Sequence, residues 1–386
     1  MAVRQLPPDQ PAGTAPIEAA AATDGGVAVA PQWKLVWWRF RKHRLAMVSA
    51  VFVLLFALVG VFAEFLAPTT PDSYSADHTY APPQGLHFVD TSGGGTRFGP
   101  YVHGYTSVRD PETLARVFQE DESQRIDVGF FVRGEPYEMW GFIPSDRHFI
   151  GPTDPEQRVY FLGADRNGRD LLSRIIYGTR ISLSIGLVGV ALTFVFGIVL
   201  GGVSGYFGGR TDTAIQRVIE FLMSIPTIPL WLGLSAAVPR TWGPLETYFA
   251  ITVILSVIGW TDLARVVRGR FLSLREEDFV LAARLDGCSR PRIILRHMLP
   301  SFSSHIIASL TLAIPYMILA ETSLSFLGLG LQPPVVSWGV LLQESQNIRT
   351  IATAPWLLLP GVAVVVAVLV LNFVGDGVRD SADPYR

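Results

Sequence analysis

Carboxylates that interrupt the long apolar segments of this sequence are its first candidates for chemistry. Glu220, Asp262 and Glu321 lie in or beside uncharged runs of membrane-spanning length. A carboxylate at the centre of a bilayer is costly to bury, and such residues commonly form proton or sodium relays. We expect all three to lie near helix ends, where solvent or an interface reaches them, and Asp262 to pair with Arg265 on one helix face. These positions disfavour an ion relay.

Nucleotide and metal chemistry find little support in the sequence. The chain has only two lysines, Lys34 and Lys42, and neither stands in the G-x-x-x-x-G-K-[ST] loop that holds the phosphates of ATP. The single cysteine, Cys288, excludes an intrachain disulfide and a cysteine-based metal cluster. Five histidines lack the sequence spacing of a metal site: His87, His103, His148, His297 and His305. We expect no catalytic residue, cofactor or metal in this chain.

A polar stretch between two apolar segments, LAARLDGCSRPRIILRHMLP at 281–300, predicts a helix, a turn and a second helix. Gly287 suits the position that follows a helix over 274–286, because glycine readily adopts the backbone conformation that ends a helix. Ser289 suits the N-cap of the next helix, and Pro291 suits its first turn. The second helix is therefore predicted to run on towards residue 300.

The composition of this helix-turn-helix predicts a surface for another molecule. The small side chains of Ala282 and Ala283 are expected to let a partner approach closely. Four arginines offer charge to acidic partners: Arg284, Arg290, Arg292 and Arg296. Three apolar residues are expected to form the buried face: Ile293, Ile294 and Leu295.

Three kinds of partner compete for this surface. A DNA-binding unit has a similar helix-turn-helix outline, but here membrane spans flank it on both sides. A segment that rests on lipid headgroups is a second alternative. Docking of a cytoplasmic protein is the preferred interpretation.

The elements that position this segment are predicted membrane helices. Hydrophobic residues make up 49% of the chain and charged residues 17%, and the charges cluster between uncharged runs long enough to cross a bilayer core of about 30 Å. The first run is longer than the roughly 7–15 apolar residues of a secretory signal, so we interpret it as a retained span. The sequence predicts an all-α polytopic membrane protein with six helices, near 45–63, 180–207, 215–238, 246–265, 302–328 and 355–375.

The distribution of positive charge predicts the orientation of these helices. If the N-terminus is inside, the inner connections carry seventeen Lys and Arg residues, and the short outer loops carry only Arg240 and Arg349. Positive residues concentrate on the cytoplasmic side of membrane proteins. We therefore expect both termini and the 281–300 stretch to be cytoplasmic.

The chain is predicted to comprise four parts. Residues 1–32 form a disordered cytoplasmic tail, 33–67 form a basic surface helix and the first span, and 68–165 form a small α+β extracytoplasmic insertion. A core with the other five predicted spans follows at 166–386 and includes a cytoplasmic loop at 274–300, the predicted docking segment. Within the insertion, two patterns support the mixed class: DPETLARVFQED at 110–121 predicts a helix, and RIDVGFFVRG at 125–134 predicts a strand.

Several of these motifs resemble a known family. The pattern Ala282-Ala283, three residues, Gly287, then Leu299-Pro300 resembles the "EAA" loop of binding-protein-dependent ABC importer permeases. Leu281 and His297 depart from that loop, which leaves the individual partner contacts open rather than the docking role. Three other stretches resemble the second permease of the dipeptide/oligopeptide/nickel branch: FLGADRNGRDLLSRIIYGTRISLSIGLVGV (161–190), ETSLSFLGLGLQPPVVSWG (321–339) and LNFVGDGVRDSADP (371–384).

The resemblance covers 161–386 and the first helix, and it implies a function. Such a chain resides in the bacterial inner membrane and pairs with a homologous second permease to form a path for peptides. Two cytoplasmic ATPase subunits bind ATP and Mg and drive the cycle, and an extracytoplasmic solute-binding protein delivers the substrate. Nickel or another small solute is the alternative cargo, and an ion-coupled carrier is the alternative mechanism. The implied ATPase-docking residues are Ala282, Ala283, Arg284, Asp286, Gly287, Leu299 and Pro300.

Overall fold

The structure is a computed structural model that describes residues 32–90, 97–109, 116–239 and 241–382. The predicted disordered tail up to residue 31, most of the glycine-rich stretch at 92–99 and the beginning of the helix predicted at 110–121 lie outside these ranges.

Long apolar helices dominate the described residues. Five of them are long and apolar enough to cross a membrane, which confirms a polytopic helical fold. They are α2 (Arg44–Val61), α4 (Leu171–Phe207), α7 (Pro244–Leu274), α11 (Ser303–Phe326) and α14 (Leu359–Ala382). A sixth candidate span consists of two helices, α5 (Gly209–Ser224) and α6 (Thr227–Ala236), bent by 89° at their junction.

The bend between α5 and α6 corrects the continuous helix predicted over 215–238. Ile225 at the junction has an extended backbone, with φ of −93° and ψ of 128°. It precedes Pro226, and the ring of a proline clashes with a helical conformation of the residue before it. The chain therefore turns sharply here, and α5 and α6 form a candidate span only as a bent pair.

Shorter helices connect these spans. The predicted basic surface helix is present as α1 (Gln32–Phe40), directly before the first span. The others are α3 (Ala63–Leu66), α8 (Asp278–Leu285), α9 (Arg290–Arg292), a π-helix (Ile293–Met298), α10 (Leu299–Ser301), α12 (Trp338–Gln343) and α13 (Ile348–Thr353). Three 3₁₀ turns cover Ala76–His78, Glu344–Gln346 and Pro355–Leu358.

Close packing of α4 against α7 forms the centre of the helical part. A Cβ atom at Gly201 would lie 2.5 Å from the carbonyl oxygen of Ala264, and one at Gly205 would lie 2.6 Å from Cβ of Phe271. No side chain fits in these gaps. Small residues let membrane helices approach closely where no hydrophobic effect holds them together, so the glycines of α4 define this contact.

A bidentate ion pair joins α3, directly after the first span, to α4. The Arg180 guanidinium donates to both carboxylate oxygens of Glu64, each at 2.6 Å, and also to the carbonyl oxygen of Gly60 at 2.7 Å. Glu64 is buried. A buried carboxylate requires such a partner, and removal of either residue would leave the other charge unpaired.

The residues between α3 and α4 contain an antiparallel sheet. Its strands are β1 (His87–Asp90), β2 (Arg97–Arg109), β3 (Arg116–Met139) and β4 (Ile143–Pro152), in the order β1-β2-β3-β4. The strand predicted at 125–134 is confirmed as part of β3. Trp140 lies in the turn between β3 and β4, and its indole donates to the carbonyl oxygen of Val61 at 2.8 Å. This turn therefore lies against the end of the first span.

The helix predicted at 110–121 is wrong where the structure describes it. Val117 and Phe118 lie in β3, opposite Val108 and Ser107 of β2. Pairing with β2 satisfies the backbone of this segment, and that tertiary contact outweighs a local helical pattern. In the described part of 68–165, the helical structure is the single 3₁₀ turn Ala76–His78, so the sheet dominates the insertion that we predicted as α+β.

Candidate coupling and translocation site

The end of α8 has the geometry predicted for it. Gly287 has φ of +76°, a conformation that side chains disfavour. The N–H of Gly287 donates to the carbonyl oxygen of Arg284, and the N–H of Cys288 donates to that of Ala283, both at 3.1 Å. This pair of bonds is the Schellman motif, which ends a helix at glycine. The helix begins at Asp278 rather than Leu274, because α7 already occupies the residues up to Leu274.

The second half of the segment begins as predicted and then differs from a regular helix. Ser289 precedes α9, and Pro291 lies in its first turn, but the Ser289 side chain makes no capping hydrogen bond. The turn continues as the π-helix and then as α10. The predicted basic-apolar helix is therefore two short α-helical pieces with a π-helix between them.

One side of this segment packs on the helical core. Val280, Ala283, Ile293 and Met298 are buried in an apolar cluster with Phe271 of α7. Leu299, another predicted docking residue, packs partly buried against the same cluster. The structure thus brings Ala283 and Leu299 together on the inner side of the segment.

The placement of Ala283 corrects the predicted docking face. Ala283 is only 6% exposed, whereas Ala282 is exposed, because adjacent helical residues point about 100° apart. The predicted buried trio is also divided. Ile293 is buried and Ile294 partly buried, but Leu295 is 62% exposed.

An apolar ridge on α8 faces away from the core. Leu285 is 89% exposed, and Leu281, one helical turn earlier, is 43% exposed. Ala282 and Asp286 are exposed beside them. We call these four residues the α8 surface. Pro300 is also exposed, at the start of α10.

Two arginines attach the segment to the end of α4. The Arg284 guanidinium lies 5.3 Å from the ring centre of Tyr206, and that of Arg290 lies 5.4 Å from the ring centre of Phe207. A cation over an aromatic face gains about 0.5–1 kcal/mol at an exposed site. Sequence reasoning missed this aromatic pair; its only signal is its position directly before Gly208-Gly209, where a helix ends.

A second polar contact joins three spans near the same end of α4. Arg268 of α7 donates to both oxygens of Asp212 of α5, at 2.5 and 2.6 Å. The Ser204 hydroxyl of α4 donates to the same carboxylate at 2.5 Å. A displacement of α8 would therefore act on α4 through the rings of Tyr206 and Phe207. The contacts of Asp212 connect α4 to α5 and α7 near the same end.

A cavity of about 490 Å³ lies between α4, α6, α7 and α11. Its lining includes Thr193, Trp231, Asp262 and Tyr316. Trp231 and Thr193 are nearly fully buried, and within the described residues the Trp231 indole N–H and the Thr193 hydroxyl have no hydrogen-bond partner. Buried polar groups are almost always paired, so these two are candidate donors to a molecule in the cavity.

Asp262 is the carboxylate of this cavity. The structure corrects its predicted position, because α7 continues to Leu274 and Asp262 lies well inside the helix. The predicted pair with Arg265 does not form, although both residues are described. Asp262 is exposed and contributes a negative charge to a lining of mainly apolar and hydroxyl groups.

The other two candidate relay carboxylates have local partners. Glu220 pairs with Arg217 at 2.7 Å on the exposed side of α5. Glu321 is fully buried, which corrects the expectation that solvent reaches it; its Oε1 accepts hydrogen bonds from Ser325 and Ser337, both at 2.8 Å. Since Ser337 caps α12, Glu321 fixes the loop between α11 and α12.

The motif at 161–190 also forms an ion-pair network at the start of α4. Asp165 is fully buried and accepts from Arg169 at 2.7 Å and from Arg174. Asp170 caps α4 and accepts from the N–H of Ser173 at 2.8 Å. Burial raises the pKa of Asp170 to about 6. These ion pairs and hydrogen bonds hold the start of α4 in place. They account for the charged residues of the motif without a catalytic role.

Comparison with known proteins identifies two family regions. Residues 197–385 match the family described as binding-protein-dependent transport system inner membrane component. Residues 31–83 match the N-terminal TM domain of oligopeptide transport permease C. The two regions include α1, the first span and most of the helices from α4 onward.

Individual relatives agree with this assignment. The oligopeptide transport system permease protein OppC of Haemophilus influenzae is 39% identical over 241 residues, which cover 62% of this chain and 75% of the relative. The dipeptide transport system permease protein DppC of Bacillus subtilis is 37% identical over 232 residues, covering 60% and 70%. OppC of Bacillus subtilis is 32% identical over 241 residues, covering 62% and 76%.

These matches confirm the resemblance of the sequence motifs to importer permeases. The first span, the end of α4, every candidate span after it and the segment that ends at Gly287 lie in matched regions. The chain belongs to the family of binding-protein-dependent transport system inner membrane components and is a multi-pass permease subunit of a transport system.

Proposed function

We propose that this chain is one of two permease subunits of an ATP-driven importer of peptides. Its partners in this proposal are a homologous second permease, two cytoplasmic ATPase subunits and an extracytoplasmic solute-binding protein. ATP and Mg bind to the ATPase subunits, and this chain contributes no catalytic group. The names of its relatives, which are oligopeptide and dipeptide permeases, support the peptide substrate.

The observation that carries the proposal is the exposed α8 surface joined to the cavity helices. Leu285 is 89% exposed, so the described part of the chain leaves this apolar side chain uncovered. Such a residue at a helix end suits a groove in a partner. The buried side of the same segment packs on α7, and Arg284 contacts α4. α4 and α7 also line the cavity, so movement at α8 reaches the substrate path through packed helices.

Charge supports the orientation that this proposal requires. The excess of Lys and Arg in the connections that include 265–296 favours a cytoplasmic position for the α8 surface. The sheet at His87–Pro152 lies on the other side in this arrangement, and both termini are cytoplasmic. The ATPase subunits would then meet α8, and the solute-binding protein would meet the opposite face.

The chemistry of the cavity suits a peptide better than a metal ion. The Trp231 N–H and the Thr193 hydroxyl can donate to peptide carbonyl oxygens, and the Asp262 carboxylate can accept from a terminal ammonium group. Among the described residues, the lining includes no His or Cys ligand, which disfavours nickel as cargo. Glu220 already pairs with Arg217 on the exposed side of α5, which disfavours it as part of a stand-alone ion-coupled carrier.

Reconstitution of the full complex in proteoliposomes tests the proposal. Gly287→Pro forces φ to about −65° where the chain requires a positive angle, and it removes the N–H that bonds to Arg284. We expect substrate-stimulated ATP hydrolysis to fall to the basal rate. Gly269→Ala is the matched control, because a Cβ atom there meets no other atom within 4 Å.

Two results would overturn the proposal. If Gly287→Pro assembled and hydrolysed ATP with full stimulation, the α8 segment would not couple the subunits. If a panel of di- to octapeptides gave no stimulation while nickel did, the substrate would be the metal rather than a peptide.

A further inference from the structure

Two histidines and a glutamate come together on one face of the sheet. His87 lies on β1, His103 on β2 and Glu120 on β3. One ligand atom from each residue lies within 4.8 Å of the other two. The two imidazole rings have centres 4.7 Å apart. The sequence gives no sign of this cluster, because the spacing of the three residues along the chain matches no metal motif.

The register of the strands produces the cluster. His87 stands opposite Tyr101, and Tyr105 stands opposite Glu120. Tyr101, His103 and Tyr105 are two residues apart along β2, so their side chains lie on one face of the sheet. His87, opposite Tyr101, and Glu120, opposite Tyr105, join that face. His103 lies between them; it stands opposite Arg125, and the β2–β3 register shifts directly after it, which brings Glu120 next to this part of β2.

We propose that His87, His103 and Glu120 bind a first-row divalent cation, for which Zn²⁺ is the best fit. Two imidazole nitrogens and one carboxylate oxygen match the donors that Zn²⁺ prefers, and a water molecule completes its four positions. With Zn–ligand bonds of about 2.0–2.1 Å, tetrahedral ligand atoms lie roughly 3.3 Å apart. The ligand atoms are at most 4.8 Å apart, so reaching this distance requires shifts of about 1.5 Å or less. Rotation about side-chain torsions provides such shifts.

The surroundings of the cluster suit reversible uptake of a cation. The two histidines are half-buried, which restricts their motion, while Glu120 is exposed and leaves one side open. The bound cation would join three neighbouring strands. β1 has only four residues, and its register with β2 is irregular between His87 and Val89. A bond from the cation to His87 would fix this short edge strand, so metal binding should stabilise the sheet.

The direct test is calorimetric titration of ZnCl₂ into the purified full-length chain in detergent. For this titration the protein is purified without a polyhistidine tag, and bound metal is first removed with a chelator. We expect one saturable site with micromolar or tighter affinity, and we expect His87→Asn and His103→Asn each to weaken it about 100-fold or more. Glu122→Gln, an exposed glutamate on the same strand as Glu120, is the matched control and should bind as the parent does.

Two further measurements separate a built site from surface binding. Co²⁺ should give the visible absorption of a tetrahedral complex in the parent and lose it in the double variant of His87 and His103. Far-UV circular dichroism of the metal-free variants should equal that of the metal-free parent, which rules out loss of fold. Absence of saturable Zn²⁺ binding, or binding that survives in the double variant, would overturn the proposal.

Discussion

The Arg284 guanidinium lies 5.3 Å from the ring centre of Tyr206 and so connects the exposed helix α8 to the last turn of α4. The contact gives one route from α8 to a helix that lines the cavity. Packing of the same segment on α7 gives a second route.

Replacement of Arg284 by methionine should uncouple ATP hydrolysis from transport without preventing assembly. Methionine keeps much of the apolar stem but loses the charge over the ring, a change of about 0.5–1 kcal/mol. We expect the peptide transported per ATP hydrolysed in proteoliposomes to fall several-fold. Arg292→Met, another exposed arginine of the same segment, is the control and should keep the parent ratio.

Replacement of Leu285 by glutamate should prevent the ATPase subunits from binding. The change places a charge on the most exposed apolar side chain of α8, and burial of an unpaired charge in a partner groove is strongly unfavourable. We expect the ATPase subunits to be lost when the permease is purified from detergent extracts. Ile348→Glu is the control, since Ile348 is 82% exposed and belongs to α13 rather than to the α8 segment. Equal retention of ATPase in both variants would contradict docking at α8.

Replacement of Asp262 by asparagine should weaken transport of peptides with a free amino terminus. If the Asp262 carboxylate receives the terminal ammonium group, loss of its charge should raise the KM for such peptides about tenfold, the effect of 1.4 kcal/mol. Uptake of N-acetylated peptides should change little. Glu220→Gln removes a carboxylate that already pairs with Arg217 and should leave both KM values unchanged. An equal loss for free and acetylated peptides would assign Asp262 a structural role.

Replacement of Glu135 by glutamine should destabilise the sheet at pH 7, and progressively less as the pH falls below the ordinary glutamate pKa. Burial alone would raise the pKa of Glu135, but hydrogen bonds from Ser73 and Thr70 outweigh it and hold that pKa below its usual value. A carboxylate with a depressed folded-state pKa contributes stability above its unfolded pKa and loses it as the pH falls through the folded pKa. We expect the Tm at pH 7 to fall by about 2–4 °C.

Thermal unfolding followed by circular dichroism at several pH values measures this effect. The Tm difference between the parent and Glu135→Gln should shrink as the pH falls below the ordinary glutamate pKa. Glu138→Gln alters an exposed glutamate of the same strand and should show no such trend. A Tm difference that stays constant down to pH 3 would contradict a charge-dependent role of Glu135.

Much of the helical part could be predicted from the sequence because a bilayer imposes length and polarity on each span. Five of the predicted helices correspond to α2, α4, α7, α11 and α14. Gly287 was predictable as a helix end because its backbone conformation is a local property. The bend at Pro226 also has a local cause, which the hydrophobic run on both sides concealed.

Other features depend on contacts that a linear pattern does not contain. Val117 and Phe118 fit a helix face, yet pairing with β2 makes them strand residues. Ala282 and Ala283 are equally small, yet only the tertiary contact with the apolar cluster decides that Ala283 points inward. His87 and His103 are separated along the chain, and only the strand register brings their rings together.

The sequence by itself determined the membrane helices, the helix end at Gly287 and the family, since composition, spacing and local backbone preference carry that information. The tertiary structure decided which side of α8 is exposed, how Arg284 reaches Tyr206, where Asp262 faces a cavity and how a His–His–Glu cluster forms. The physical reason is that each of these depends on packing or register between elements distant in the chain, which local propensity does not encode.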